Sequence, residues 1–140
     1  MYDLPITITV DDKDYAITNK GDFRMVLDCF SALEDVELSE DYRILASLII
    51  FYEDINSKED VPQDEDTLLE LVKGMFNFFS CGQEDENNTP SNKLIDWDKD
   101  SLIIMSAVNN VAGKELRLEP FVHWWTFVGY YMSIGESVLF

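Results

Sequence analysis

Histidine and cysteine are nearly missing from this chain, whose 140 residues hold one His, at position 123, and two Cys, at 29 and 81. No common zinc set can be completed from them, and neither Cys nor any Ser sits in a recognisable nucleophile motif. The cysteines lack CxxC spacing and read as ordinary thiols of a reducing compartment, the cytoplasm. Glycine is also sparse, and Gly21 and Gly74 stand isolated, so no glycine-rich phosphate loop is present. Basic residues number 10 against 28 Asp and Glu, a formal charge of -18. Nucleic acid backbones and anionic membrane surfaces are therefore poor partners, because binding them requires Lys and Arg to neutralise phosphates. Met1 to Pro5 has neither a basic nor an apolar leader pattern, so no secretory signal is expected.

What is present is acid in the body and aromatics at the end. Residues 1–100 carry -17 of the net charge and residues 101–140 only -1. Seven of the last twenty residues are aromatic, and Glu136 is the one formal charge among them. Twenty such residues are long enough to span a bilayer. His123, Thr126, Ser133, Glu136 and Ser137 interrupt the run, and no Lys or Arg flanks it to set an orientation, so no membrane span is expected.

At 46% apolar the chain is sized for one domain, residues 1–140, with a single core. Ile6 to Val10 alternates apolar and polar side chains as a half-buried strand does, Asp11 to Asp14 supplies turn chemistry, and Tyr15 to Thr18 offers a return strand. A hairpin over residues 1–20 follows. In a first helical block, 22–80, Phe23, Val26, Leu27, Phe30 and Leu33 mark one face of a helix ending near Glu34. Ser39 is placed to cap a second helix through Tyr42 to Ile55, apolar on most sides and therefore central, and Asp64 to Asp66 open a third. Residues 82–93 contain no apolar side chain and read as a polar loop. The second block, 94–140, predicts a helix capped by Asp98 and running to about Ala112, then a last one with Pro120 at its first position. The expected fold is mainly α, a single-domain bundle of about five helices with a small N-terminal β-hairpin.

On the last helix His123, Thr126, Tyr130, Ser133 and Ser137 form one polar stripe at steps of three and four. The remaining arc is apolar and wider than packing on a single core needs, and Gly129 and Gly135 permit close approach of another backbone. The helix reads either as the central one of the bundle, buried on most sides by its neighbours, or as a contact surface. On the second reading partner binding or self-association falls to Trp97, Phe121, Trp124, Trp125, Phe127, Tyr131, Met132 and Phe140, since Trp, Tyr and Met are enriched at interfaces. His123 reads as a hydrogen-bonded structural histidine. Asp96, Asp98 and Asp100 imitate the start of a calcium loop, but Ser101 replaces its glycine and Ala107 its glutamate, so no metal site is expected. No catalytic residue, cofactor or small-molecule substrate is expected either.

The segment Phe121 to Glu136, with His-Trp-Trp at 123–125 and Asp-Trp-Asp at 96–98, resembles tail assembly chaperones of long-tailed phages and prophages of Gram-positive hosts, encoded just before the tape measure protein. The resemblance covers residues 94–140 well. It implies a non-enzymatic, self-associating protein of the bacterial cytoplasm that holds the long apolar tape measure protein in solution. It also implies a lysine-rich continuation, whereas this sequence ends at Phe140. The competing expectation, drawn from the net charge and a phage origin, is a small acidic inhibitor that mimics DNA. Such a mimic needs carboxylates arrayed on an exposed face, and here they gather in loops and helix starts.

Overall fold

The structure, a computed structural model, describes residues 4–82 and 97–138, with side chains for 4–82 and 104–133. Thr7–Val10 (β1) and Lys13–Ala16 (β2) pair antiparallel, with Val10 opposite Lys13. The turn is tighter than expected, only Asp11 and Asp12, both left-handed at φ 52° and 65°. Two residues with positive φ match the right-handed twist of a hairpin, and Asp tolerates that region, so Lys13 and Asp14 join the strand.

Five helices follow: α1 (Phe23–Leu33), α2 (Glu40–Phe51), α3 (Glu65–Phe79), α4 (Trp97–Ala112) and α5 (Trp124–Val138). Among the described residues the architecture is the expected helical bundle with its small hairpin. The Ser39 hydroxyl accepts from the Tyr42 amide and caps α2, with Glu40 and Asp41 in the first turn. Asp64 precedes α3 but accepts from the Thr67 hydroxyl at 2.7 Å rather than from a backbone amide. Gly113 closes α4 at φ +75°, the conformation a helix end takes most easily with glycine. α4 begins at Trp97, so Asp98 stands inside its first turn instead of before it. A carboxylate there still meets the positive end of the helix dipole.

Two further helix boundaries differ from the sequence reading, and both of these differences come from pairing with distant backbone. α2 stops at Phe51 because Tyr52 bridges Ile17 and the Glu53 amide donates to Ala16 O. α5 begins at Trp124, four residues beyond Pro120. The Phe23 amide donates to Val122 O at 2.8 Å and His123 bridges Asp22, which holds that stretch extended.

One buried cluster joins the hairpin, α1, α2, α3, α4 and α5, through Val10, Tyr15, Val26, Phe51, Met75, Val108 and Phe127 among others. Burying a side chain of this size stabilises by about 1.5–3 kcal/mol each. Tyr52 is fully buried and its hydroxyl donates to Leu71 O at 2.6 Å, so burial holds the phenol above its ordinary range while its one polar atom stays satisfied. No described helix is long and apolar enough to cross a membrane.

Candidate functional site

The His-Trp-Trp triplet turns out to be a structural clamp. The Trp125 amide donates to His123 Nδ1 at 3.0 Å and the Phe127 amide to His123 O, which makes His123 the N-cap of α5. Since Nδ1 accepts, the ring proton resides on Nε2, and Nε2–H donates to Pro5 O at 2.7 Å, fastening the lead into the hairpin. Both nitrogens are used, and His123 is 2% exposed. The two indoles close another helix end. Trp124 Nε1 donates to Phe79 O at 3.0 Å and Trp125 Nε1 to Phe78 O at 2.9 Å. These carbonyls belong to the last turn of α3, and Phe78 O also accepts from the Cys81 amide at 3.0 Å.

Burial lowers the pKa of His123, with the Pro5 carbonyl and Asp22 opposing the shift. A depressed folded-state pKa means the unfolded chain binds the proton first on acidification. The stability it contributes is present above the ordinary histidine range and is lost as pH falls below about 6.5. Urea midpoints at pH 7.5 and 5.5 should therefore fall on acidification. His123→Asn, which keeps an N-cap acceptor, should weaken that dependence by up to about 1.4 kcal/mol per pH unit. An unchanged dependence in the variant would remove His123 as its source.

The remaining assigned residues divide. Trp124 and Phe127 are core residues, 3% and 0% exposed. Phe127 stacks on Phe23 with ring centres 4.6 Å apart and on Trp124 at 5.6 Å. Their assignment to a partner surface is corrected: the apolar arc of α5 that looked too wide is covered by α1, α3 and α4. Trp125 is half-buried and its edge lines a cleft of about 490 Å³ between β1 and α3. Tyr131 is half-buried against the core. Phe121 is 45% exposed on a recess of about 180 Å³ shared with Leu4, Lys114, Thr126 and Tyr130. Met132 is 70% exposed. A side chain added at Gly129 would meet nothing within 4 Å among the described residues, so none of them makes the close approach expected there. The side chain of Trp97, Gly135 and Phe140 lie outside the described side chains.

Burial disfavours the thiolate at both cysteines. Cys29 is buried, with its thiol 3.7 Å from Met25 Sδ, and burial pushes its pKa far up. Burial likewise raises Cys81 to about 11, the reverse of what activates a thiol. Glu115 is held at about 2 by its hydrogen bonds to Arg117, an exposed pairing that braces the turn before α5. Among the described residues no three His, Cys, Asp or Glu gather to hold a metal ion.

A surface the sequence reading missed lies between α2 and α3. Asp41, Ile44, Leu45 and Leu48 face Glu65, Leu68, Leu69 and Val72 across a groove of about 510 Å³, which Val61 also lines. α2 is thus not central: Ile44 and Leu45 are only half-buried, and Leu69 is 51% exposed. The signal was available, since both helices carry an acid followed by apolar residues at the same three-, four- and seven-residue steps.

No curated protein and no solved structure matches the chain. A family model described as Bacteriophage Gp15 protein matches it over residues 1–140. With the match extending over every residue, the chain belongs to the bacteriophage Gp15 protein family.

Proposed function

We propose that this phage protein is a tail assembly chaperone, which binds the tape measure protein and keeps it soluble during tail morphogenesis in the cytoplasm of the bacterial host. The observation that carries the reading is the C-terminal block. Leu118, Phe121 and Met132 are 82%, 45% and 70% exposed within residues 118–132 of a chain of charge -18. Large apolar side chains left uncovered on a strongly charged protein suit contact with apolar helices, while the charge keeps the complex in solution. The sequence resemblance of residues 94–140 supports the same role. Action is by protein–protein contact and self-association, without catalysis or cofactor.

Co-expression with the long helical protein encoded downstream tests the reading. The soluble fraction of that protein should rise severalfold with this chain, and the paired change Leu118→Glu and Met132→Glu should abolish the rise while leaving the fold intact. A soluble fraction that is the same with and without the chain would refute it.

A further inference from the structure

The groove between α2 and α3 is lined by two helix faces of the same design. On each, an acid in the first turn precedes apolar residues: Asp41 before Ile44, Leu45 and Leu48, and Glu65 before Leu68, Leu69 and Val72. Phe51, the last residue of α2, packs on Phe78 and Phe79 at the end of α3, with ring centres 5.4 and 5.6 Å away. The two helices therefore point the same way, and their acidic ends stand together. Glu40, Asp64 and Asp66 add to that end. The nearby cation, Arg43, spends its Nε–H on Asp35 O at 2.7 Å.

We infer that this groove docks one α-helix of a partner protein, apolar along one face and bearing Lys or Arg at its C-terminal end, lying antiparallel to α2 and α3. Apolar anchors at i, i+3, i+4 and i+7 are how a helix enters such a groove. Cations at the end of the incoming helix meet the carboxylates at the mouth, and cations are also favoured at that end by the helix's own dipole. A second copy of this chain is disfavoured as occupant, because none of its five described helices carries Lys or Arg in its last turn. A small ligand is disfavoured because apolar residues dominate the lining and no set of polar groups converges to orient one. The inference stands apart from the chaperone reading, which rests on the C-terminal block.

The probe is a synthetic helical peptide of about 15 residues, long enough at about 1.5 Å per residue to cover α2. It carries Leu at i, i+3, i+4 and i+7 and three Lys at its C-terminal end, and a second peptide carries Glu in their place. Fluorescence anisotropy with the whole chain should show the Lys peptide binding and the Glu peptide binding at least about tenfold more weakly. Leu69→Gln, at an exposed position, should weaken the Lys peptide about 5- to 30-fold. Asp41→Asn with Glu65→Gln should erase the preference between the peptides and flatten its dependence on salt. Equal binding of both peptides, or wild-type affinity in Leu69→Gln, would overturn the inference. So would a wild-type dimer in sedimentation that Leu69→Gln converts to monomer, since the occupant would then be a second copy. An apolar dye that binds the groove and is displaced by neither peptide would overturn it as well. Peptide binding that persists when co-expression gives no solubility gain would leave the groove standing and remove the chaperone reading alone.

Discussion

Replacing Asp22 by Ala should cost about 3–4 kcal/mol of unfolding free energy, a large share of the 5–15 kcal/mol typical of a domain. The carboxylate is 5% exposed and serves three donors. One oxygen accepts from the Arg24 amide at 3.0 Å and caps α1, and the other accepts from the Val122 amide at 2.9 Å, a hundred residues away. Losing the cap costs about 1 kcal/mol. Leaving the buried Val122 amide without a partner costs about 1–3 kcal/mol more. Arg24 also pairs with both oxygens, at 3.0 and 3.1 Å, but its side chain is 37% exposed, so that pair adds at most about 1 kcal/mol. Together these contributions bracket the expected loss. The same guanidinium donates to Leu116 O at 2.8 Å and Glu119 O at 2.6 Å, positioned both by Asp22 and by the Phe23 ring 4.6 Å beneath it. Asp22→Asn keeps an oxygen acceptor for one amide and should lose about half as much. Urea denaturation followed by tryptophan fluorescence measures both variants, and an Asp22→Ala loss below about 1 kcal/mol would contradict the assignment.

Gly21→Ala should destabilise by about 2–5 kcal/mol, from two independent causes. Gly21 sits at φ +84°, where a side chain costs about 1–2 kcal/mol. An added Cβ would also stand 2.8 Å from Phe78 Cζ and 3.1 Å from His123 Nε2. Neither neighbour can retreat: Phe78 is 1% exposed in the core, and His123 is fixed by Pro5 O and the Trp125 amide. Overpacking of this kind adds about 1–3 kcal/mol. Gly113→Ala separates the two causes, because Gly113 has φ +75° but open space around it. It should show the conformational cost alone. Equal losses in the two variants would mean that the junction of Phe78 and His123 yields more readily than its hydrogen bonds imply.

Elements whose signals are local were legible in the chain. The period of Phe23, Val26, Phe30 and Leu33 gave α1 nearly to its end, Ser39 gave the start of α2, and Gly113 the stop of α4. Where a boundary depended on a distant strand of backbone, sequence reasoning overshot. Nothing around Pro120 or Ile55 announces that Val122 is tied to Phe23, or Tyr52 to Ile17. The assignment of Trp124 and Phe127 to a contact surface went astray for a related reason. An aromatic composition measures how much surface must be covered and says nothing of what covers it, so Trp124 and Phe127 looked available for a partner although α1 and α3 bury them. The α2–α3 groove escaped notice because a helix rich in apolar residues was assumed to lie at the centre.

The sequence by itself determined the helical bundle with its hairpin, the scarcity of histidine and cysteine, and the acidic balance of the chain, because periodicity, capping residues and charge act within a few residues of one another. Only the tertiary structure decided that His123, Trp124 and Trp125 close the ends of α5 and α3, and that Asp22 joins the first helix to the approach to the last. Those bonds satisfy buried donors and acceptors up to about a hundred residues apart, and a buried polar group takes whichever partner the fold brings to it.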